Sequence, residues 1–276
     1  MLYNKMLFAG LLILSSLCLQ AEDDHHRANR VTNSLGMGFV EIPAGTFTMG
    51  TADLEEAVLE RPDAKLGMIE DESPSHIVTI TQNFYTAETE VTQGQWLQVM
   101  QTQPGPEKYW RDPQWQQLPV VSVRWVDAQR FIEKLNQQDR QYNYRLLTEA
   151  EWEYVARAGS NELRPMPVED LNDYAWTITN SSDKQQPVAT LKPNELGVYD
   201  IYGNVWEWVN DRYAPDTYSK TDHIDPQGPD TGNKRVRRGG SYHCPTHMVR
   251  PGYRAADTAD TRYSVIGFRL VAEPQS

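Results

Sequence analysis

Apolar and polar residues alternate over Met37–Gly50 (MGFVEIPAGTFTMG), on either side of a Pro-Ala-Gly turn, and so predict a β-hairpin. His76–Phe84 (HIVTITQNF) alternates as cleanly and predicts one strand. Thr51–Ser73, between them, is acidic and rich in turn formers, which predicts a loop. The period then changes to that of a helix. Thr92 can cap a helix running to about Gln101, with Trp96, Val99 and Met100 on one face. A second helix spans Trp125 to about Asn136, with Val126, Phe131 and Leu135 as apolar positions. In the third, Thr148 and Glu151 form a capping box, Trp152, Val155 and Ala156 follow, and Gly159 ends the run. From Gly159 to Ser276 no long helical pattern occurs, and short strands are expected near Arg235–Arg238 and Gly267–Val271. Such a long irregular stretch has to be ordered by tertiary contacts, aromatic packing or bound ions.

The chain opens differently. Lys5 precedes an almost unbroken apolar run, Met6–Cys18, and Leu19-Gln20-Ala21 ends in a small residue before Glu22-Asp23-Asp24. That is the order of a secretory signal peptide, and the run is short for a membrane span of about 20 residues. Met1–Ala21 is therefore assigned as a cleaved signal, Glu22–Leu35 as a flexible lead-in and Gly36–Ser276 as one domain. No transmembrane segment is expected after cleavage.

Composition narrows the chemistry. The 38 acidic residues outnumber the 26 basic ones, and the net charge of -12 argues against a nucleic-acid partner, which needs a basic surface. Loss of the signal removes Lys5 and makes the balance more acidic still. Only Cys18 and Cys244 are present, and the first lies in the signal. The remaining thiol excludes an internal disulfide, a four-cysteine zinc site and a cysteine-held iron–sulfur cluster. No P-loop, Gly-x-Ser-x-Gly or Gly-x-Gly-x-x-Gly motif occurs, so nucleotide, serine-hydrolase and dinucleotide chemistry lack support.

Two constellations remain. Asp200–Glu207 (DIYGNVWE) places two carboxylates seven residues apart, with Gly203 free to make a sharp bend. Two carboxylates, main-chain carbonyls and water suit Ca2+. The same residues also suit a polar turn in which Glu207 joins a hydrogen-bonded network. Ser241–Met248 (SYHCPTHM) gathers hydroxyl, imidazole, thiol and thioether groups. As a soft set, Cys244 and His247, with His243, could hold copper; alternatively Cys244 is a small buried hydrophobe. Arg250 and Arg254 would lower the thiol pKa if they approach it.

Seven segments, in order, resemble the formylglycine-generating enzyme (sulfatase-modifying factor) family. They are Phe39–Gly50, Glu90-Val91-Thr92 with Trp96, Pro119–Trp125, Arg145–Ala158, Gly197–Trp208, Arg237–Tyr242 and Gly267-Phe268-Arg269. The resemblance implies a single compact α+β domain, C-type-lectin-like, with little regular secondary structure. It implies structural calcium on the side chains of Asp200 and Glu207 and the carbonyls of Gly203 and Val205. A second calcium site is not expected, because Ala175 stands where an Asn ligand belongs. The active site falls at Ser241–Cys244, lined by Trp206 and flanked by Tyr242, His247, Arg250 and Arg254.

The family oxidises a sulfatase cysteine with O2, using copper held by two cysteines five residues apart. Cys244 matches the first and Val249 the second, so ordinary formylglycine generation is disfavoured. The exported, one-cysteine form resembles two periplasmic branches. One completes the peptide siderophore pyoverdine by oxidising a peptide-bound ring; the other regulates type VI secretion through protein contacts. The Ser241–Cys244 pocket favours the first, with an exported peptide as substrate and Cys244 and His243 assisting oxidation or proton transfer. The alternatives are the non-catalytic regulator and a single-cysteine modifier of an exported protein.

Overall fold

The computed structural model describes residues 29–59, 69–220 and 223–275. The assigned signal and most of the lead-in lie outside these residues. Eleven strands in chain order are β1 Arg30–Thr32, β2 Gly38–Ile42, β3 Gly45–Met49, β4 His76–Ile80, β5 Phe84–Ala87, β6 Tyr142–Leu146, β7 Trp206–Arg212, β8 Lys234–Arg238, β9 Ala255–Thr258, β10 Ile266–Phe268 and β11 Leu270–Pro274. The helices are α1 Leu54–Leu59, α2 Gln93–Met100, α3 Glu107–Trp110, α4 Trp125–Gln138 and α5 Glu149–Arg157. An antiparallel sheet runs β1-β2-β5-β11-β6, a second runs β10-β7-β8-β9, and β3 pairs with β4 alone. The architecture is α+β, and the resemblance anticipated it.

All three expected helices form. Thr92 and Thr148 each close a capping box, with Gln95 and Glu151. α2 and α4 meet through Trp96 stacked on Phe131 with centroids 5.6 Å apart, and Phe268 packs edge-on to both rings. This aromatic contact joins the helices to β10. Because β10 lies parallel to β7, it also fixes where the Asp200–Glu207 segment enters the second sheet.

Several strand expectations need correction. Met37–Gly50 is not a hairpin: β2 pairs with β1 and β5, while β3 pairs with β4. Pro43 and Ala44 turn the chain from one sheet into another. His76–Phe84 is likewise two strands in two sheets, β4 and the start of β5, broken at Thr81–Asn83. β1 lies inside the segment assigned to the lead-in and already belongs to the first sheet. Within the expected loop, α1 and a 3-10 turn at Glu70–Glu72 form. β7 was not anticipated, because both of its faces are largely buried and the alternation that reveals a half-exposed strand is absent. No described helix is long and apolar enough to cross a membrane.

Candidate functional site

The chain approaches β7 through a tight turn. Asp200 and Asn204 sit at φ 52° and 46°, and Gly203 at φ 76°. A Cβ on Gly203 would lie 2.2 Å from the Trp176 carbonyl oxygen, so only glycine fits. The turn buries two carboxylates of unlike surroundings. Glu207 accepts from Arg269 Nε at 2.9 and 2.8 Å, from Arg269 Nη2 at 2.6 Å and from Trp152 Nε1 at 2.8 Å. These four contacts fill the acceptor capacity of a carboxylate. Asp200 Oδ2 accepts from the Ala189 N–H at 2.7 Å, while Oδ1 has no partner.

A third acid completes the cluster. Glu90, 0% exposed, leaves both carboxylate oxygens without a partner. Burial first, then the charges of Asp200 and Glu207, hold Glu90 well above the usual carboxylate range. Burial also pushes Asp200 up to about 6. Three buried carboxylates thus share one guanidinium, Arg269. Their oxygen chemistry suits a hard cation, with Asp200 Oδ1 and Glu90 as open donors. Glu207, the ligand expected beside Asp200, is already spent on Arg269 and Trp152. Ala175 is fully buried.

The second constellation centres on a turn after β8. Cys244 donates its N–H to the Ser241 carbonyl at 2.9 Å, and its Sγ lies 3.3 Å from Ser241 Oγ. Both residues are buried. Trp206 is buried beneath the Arg237 guanidinium, 4.3 Å from its ring centroid, and against Tyr253 at 6.0 Å. Tyr242 packs with Val121 and Val205 and donates its hydroxyl to the Ser264 carbonyl at 3.4 Å. Val249, at the second cysteine position, is fully buried. The structure therefore brings Ser241 and Cys244 together. His243 is instead exposed, and its Nδ1 pairs with Asp183. The His247 carbonyl accepts from Arg250 Nε at 3.0 Å. Among the described residues, no group of three or more His, Cys, Asp or Glu is placed to hold a metal.

Arg250 and Arg254 both pair with carboxylates. Arg250 clasps Glu72, at 2.7 Å through Nη2, and reaches Thr51 Oγ1 at 3.2 Å. Arg254 clasps Glu149 at 2.7 and 2.9 Å. The Arg254–Glu149 pair belongs to a buried ionic network that also contains Glu153, Arg157 and Arg238. Burial alone would raise the Glu153 pKa, but Arg157, Arg238 and the Gly50 N–H outweigh it and hold it below the usual range. The signal for this network was present in α5, where Glu149, Glu153 and Arg157 recur every four residues on one face.

Comparison with known proteins places these features in a family. The description of the Sulfatase-modifying factor enzyme 1-like domain matches residues 26–274. The Formylglycine-generating enzyme of Thermomonospora curvata is 34% identical over 203 residues, 61% of this chain and 63% of that protein. The chain thus spans less than two thirds of that relative. The solved structure of PvdO from Pseudomonas aeruginosa is 28% identical with a TM-score of 0.75, covering 89% of this chain and 98% of that one. Variable protein 1 of Treponema denticola is 26% identical with a TM-score of 0.72, covering 90% and 99%. With nearly the whole domain matched, the chain belongs to the sulfatase-modifying factor family.

Proposed function

We propose that the chain is an exported, periplasmic oxidative maturation enzyme for a peptide siderophore of the pyoverdine type. The observation that carries this reading is the buried Ser241–Cys244 pair, Oγ to Sγ 3.3 Å, retained where Val249 has removed the second thiol. Buried Trp206 and half-buried Tyr253 supply an aromatic wall for a planar ring. The agreement with PvdO over almost the full length of both chains supports the same reading. In the reaction proposed, a peptide-bound ring loses two electrons and two protons, and O2 takes up both to give hydrogen peroxide. Ser241 and Cys244 orient the ring and relay a proton, while exposed His243, held by Asp183, exchanges it with solvent.

Calcium is proposed as the structural ion of the β7 turn, on Asp200 and the carbonyls of Gly203 and Val205, with Glu90 and Glu207 completing the anionic surroundings. Its support is the unpartnered Asp200 Oδ1 inside a cluster of three carboxylates that holds a single guanidinium, Arg269.

The test is deletion of the gene, mass spectrometry of secreted peptides, and complementation with wild type or Cys244→Ala. A precursor two hydrogens heavier should accumulate in the deletion and persist with Cys244→Ala. Unchanged secreted peptides, with altered secretion of effector proteins, would instead support the regulatory branch.

A further inference from the structure

β3 and β4 form a sheet of two strands, and their pairing fixes which main-chain groups its outer edge leaves unused. Thr79 spends both of its groups on the far side of β4: its N–H donates to the His223 carbonyl at 2.8 Å, and its carbonyl accepts from the Asp225 N–H at 2.9 Å. In an antiparallel ladder, a residue pair that is not hydrogen-bonded turns both members' main-chain groups outward, and such pairs recur every second residue. Thr79 is opposite Thr46, and Ile77 is opposite Thr48. The N–H and C=O groups of Thr46 and Thr48 therefore point away from β4.

Gly50 continues the same parity, and α5 engages both of its groups. The Gly50 N–H donates to Glu153 Oε1 at 2.8 Å, and its carbonyl accepts from Arg157 Nη2. No turn, cap or side-chain hydrogen bond engages the main chain of Thr46 or Thr48 among the described residues. Their two donors and two acceptors open instead on a cleft of about 470 Å³. Its walls include Tyr154, Gly159, Ser160 and Leu196, and Phe47 packs on Tyr154 with centroids 5.2 Å apart. That volume falls in the roughly 300–1,000 Å³ range of ligand clefts.

We propose that this cleft binds an extended peptide segment of a partner as a third strand beside β3. Alternating donors and acceptors two residues apart are complemented along their length by another extended main chain. Inward side chains of the added strand would lie on Phe47, Tyr154 and Leu196, so apolar residues are selected at alternate positions. Outward ones would join the exposed face of Thr46, Thr48 and Ile77. The net charge of -12 selects against an acidic segment. The cleft shares no residue with the Ser241–Cys244 turn, so the inference stands whether or not that turn is catalytic.

The probe is the blocked hexapeptide acetyl-Lys-Thr-Val-Thr-Val-Thr-amide, added to the isotope-labelled full chain. In the free protein, the Thr46 and Thr48 amides should exchange with solvent at least about tenfold faster than those of Phe47 and Met49. Peptide should slow both by about tenfold. Two peptides N-methylated on alternate amides should differ, one binding and one not. Leu196→Asp should weaken binding about tenfold while Phe47 protection persists. No added protection at Thr46 and Thr48 with millimolar peptide would overturn the proposal. Equal binding by both N-methylated peptides would also overturn it, because apolar filling would then suffice.

Discussion

Around α5, Glu72, Glu149, Glu153 and partly exposed Asp71 meet Arg157, Arg238, Arg250 and Arg254, acid for base. Around β7, Glu90, Asp200 and Glu207 meet Arg269 alone, and three of their oxygens have no partner. Both clusters are buried, so burial of charge does not distinguish them. The balance does. A buried charge that lacks a partner is expensive, so it persists only where a proton or a ligand completes it. Each of these four carboxylates has a guanidinium partner, and the pairs join residues from the two halves of the chain. The cluster at β7 leaves a deficit of positive charge, which is the support for the calcium proposed there.

The largest expected effect breaks the balanced cluster. Arg238→Met leaves Glu153 and Glu149 short of a partner and should cost about 3–5 kcal/mol in urea unfolding. A loss below about 1 kcal/mol would mean that these pairs add little to stability.

Acidity should next separate Asp200 from Glu153 by sign. The Asp200 pKa is raised from 3.8 to about 6, so its contribution to stability is fully present below 3.8 and is lost as pH rises through about 6. The full shift corresponds to at most about 3 kcal/mol. The Glu153 pKa is lowered, so its contribution is present above the ordinary 4.5 and is lost as pH falls through its folded value. In chelator, stability measured from pH 4 to 6 should therefore carry a falling component that Asp200→Asn removes.

The smallest effect sharpens the contrast. Glu90→Gln replaces a carboxyl that burial already favours as the neutral acid, so calcium-free stability should change by less than about 1 kcal/mol. Glu153→Gln, the same substitution in the balanced cluster, should cost several times more in the same assay.

Much of this was legible in the chain. The cap at Thr92 and the capping box at Thr148 announced α2 and α5 because their signals are local. The Asp200–Glu207 and Ser241–Cys244 segments were legible as continuous motifs, and the structure forms a buried turn at each. What escaped was long-range. Alternation across Pro43 suggested a hairpin, but partner choice sends β2 and β3 to different sheets. Glu72 and Arg250 are 178 positions apart, and no local pattern pairs them. The carboxylate partners of Arg250 and Arg254 were hidden for that reason: proximity in sequence to Cys244 says nothing about distant carboxylates. Glu90 belonged to a recognised segment, yet only the fold places it beside Asp200.

The central claim is that the cluster at β7 takes a divalent cation where the network around α5 needs none. Thermal unfolding of the full chain at pH 7.5, stripped of metal and titrated with calcium, tests it most directly. At about 100-fold excess over the dissociation constant, binding adds about 2.7 kcal/mol. For a domain of this size Tm should rise by roughly 5–10 °C. Asp200→Ala should abolish the rise, and Arg238→Met should lower Tm but keep it. No rise with calcium, or an equal rise in Asp200→Ala, would contradict the account.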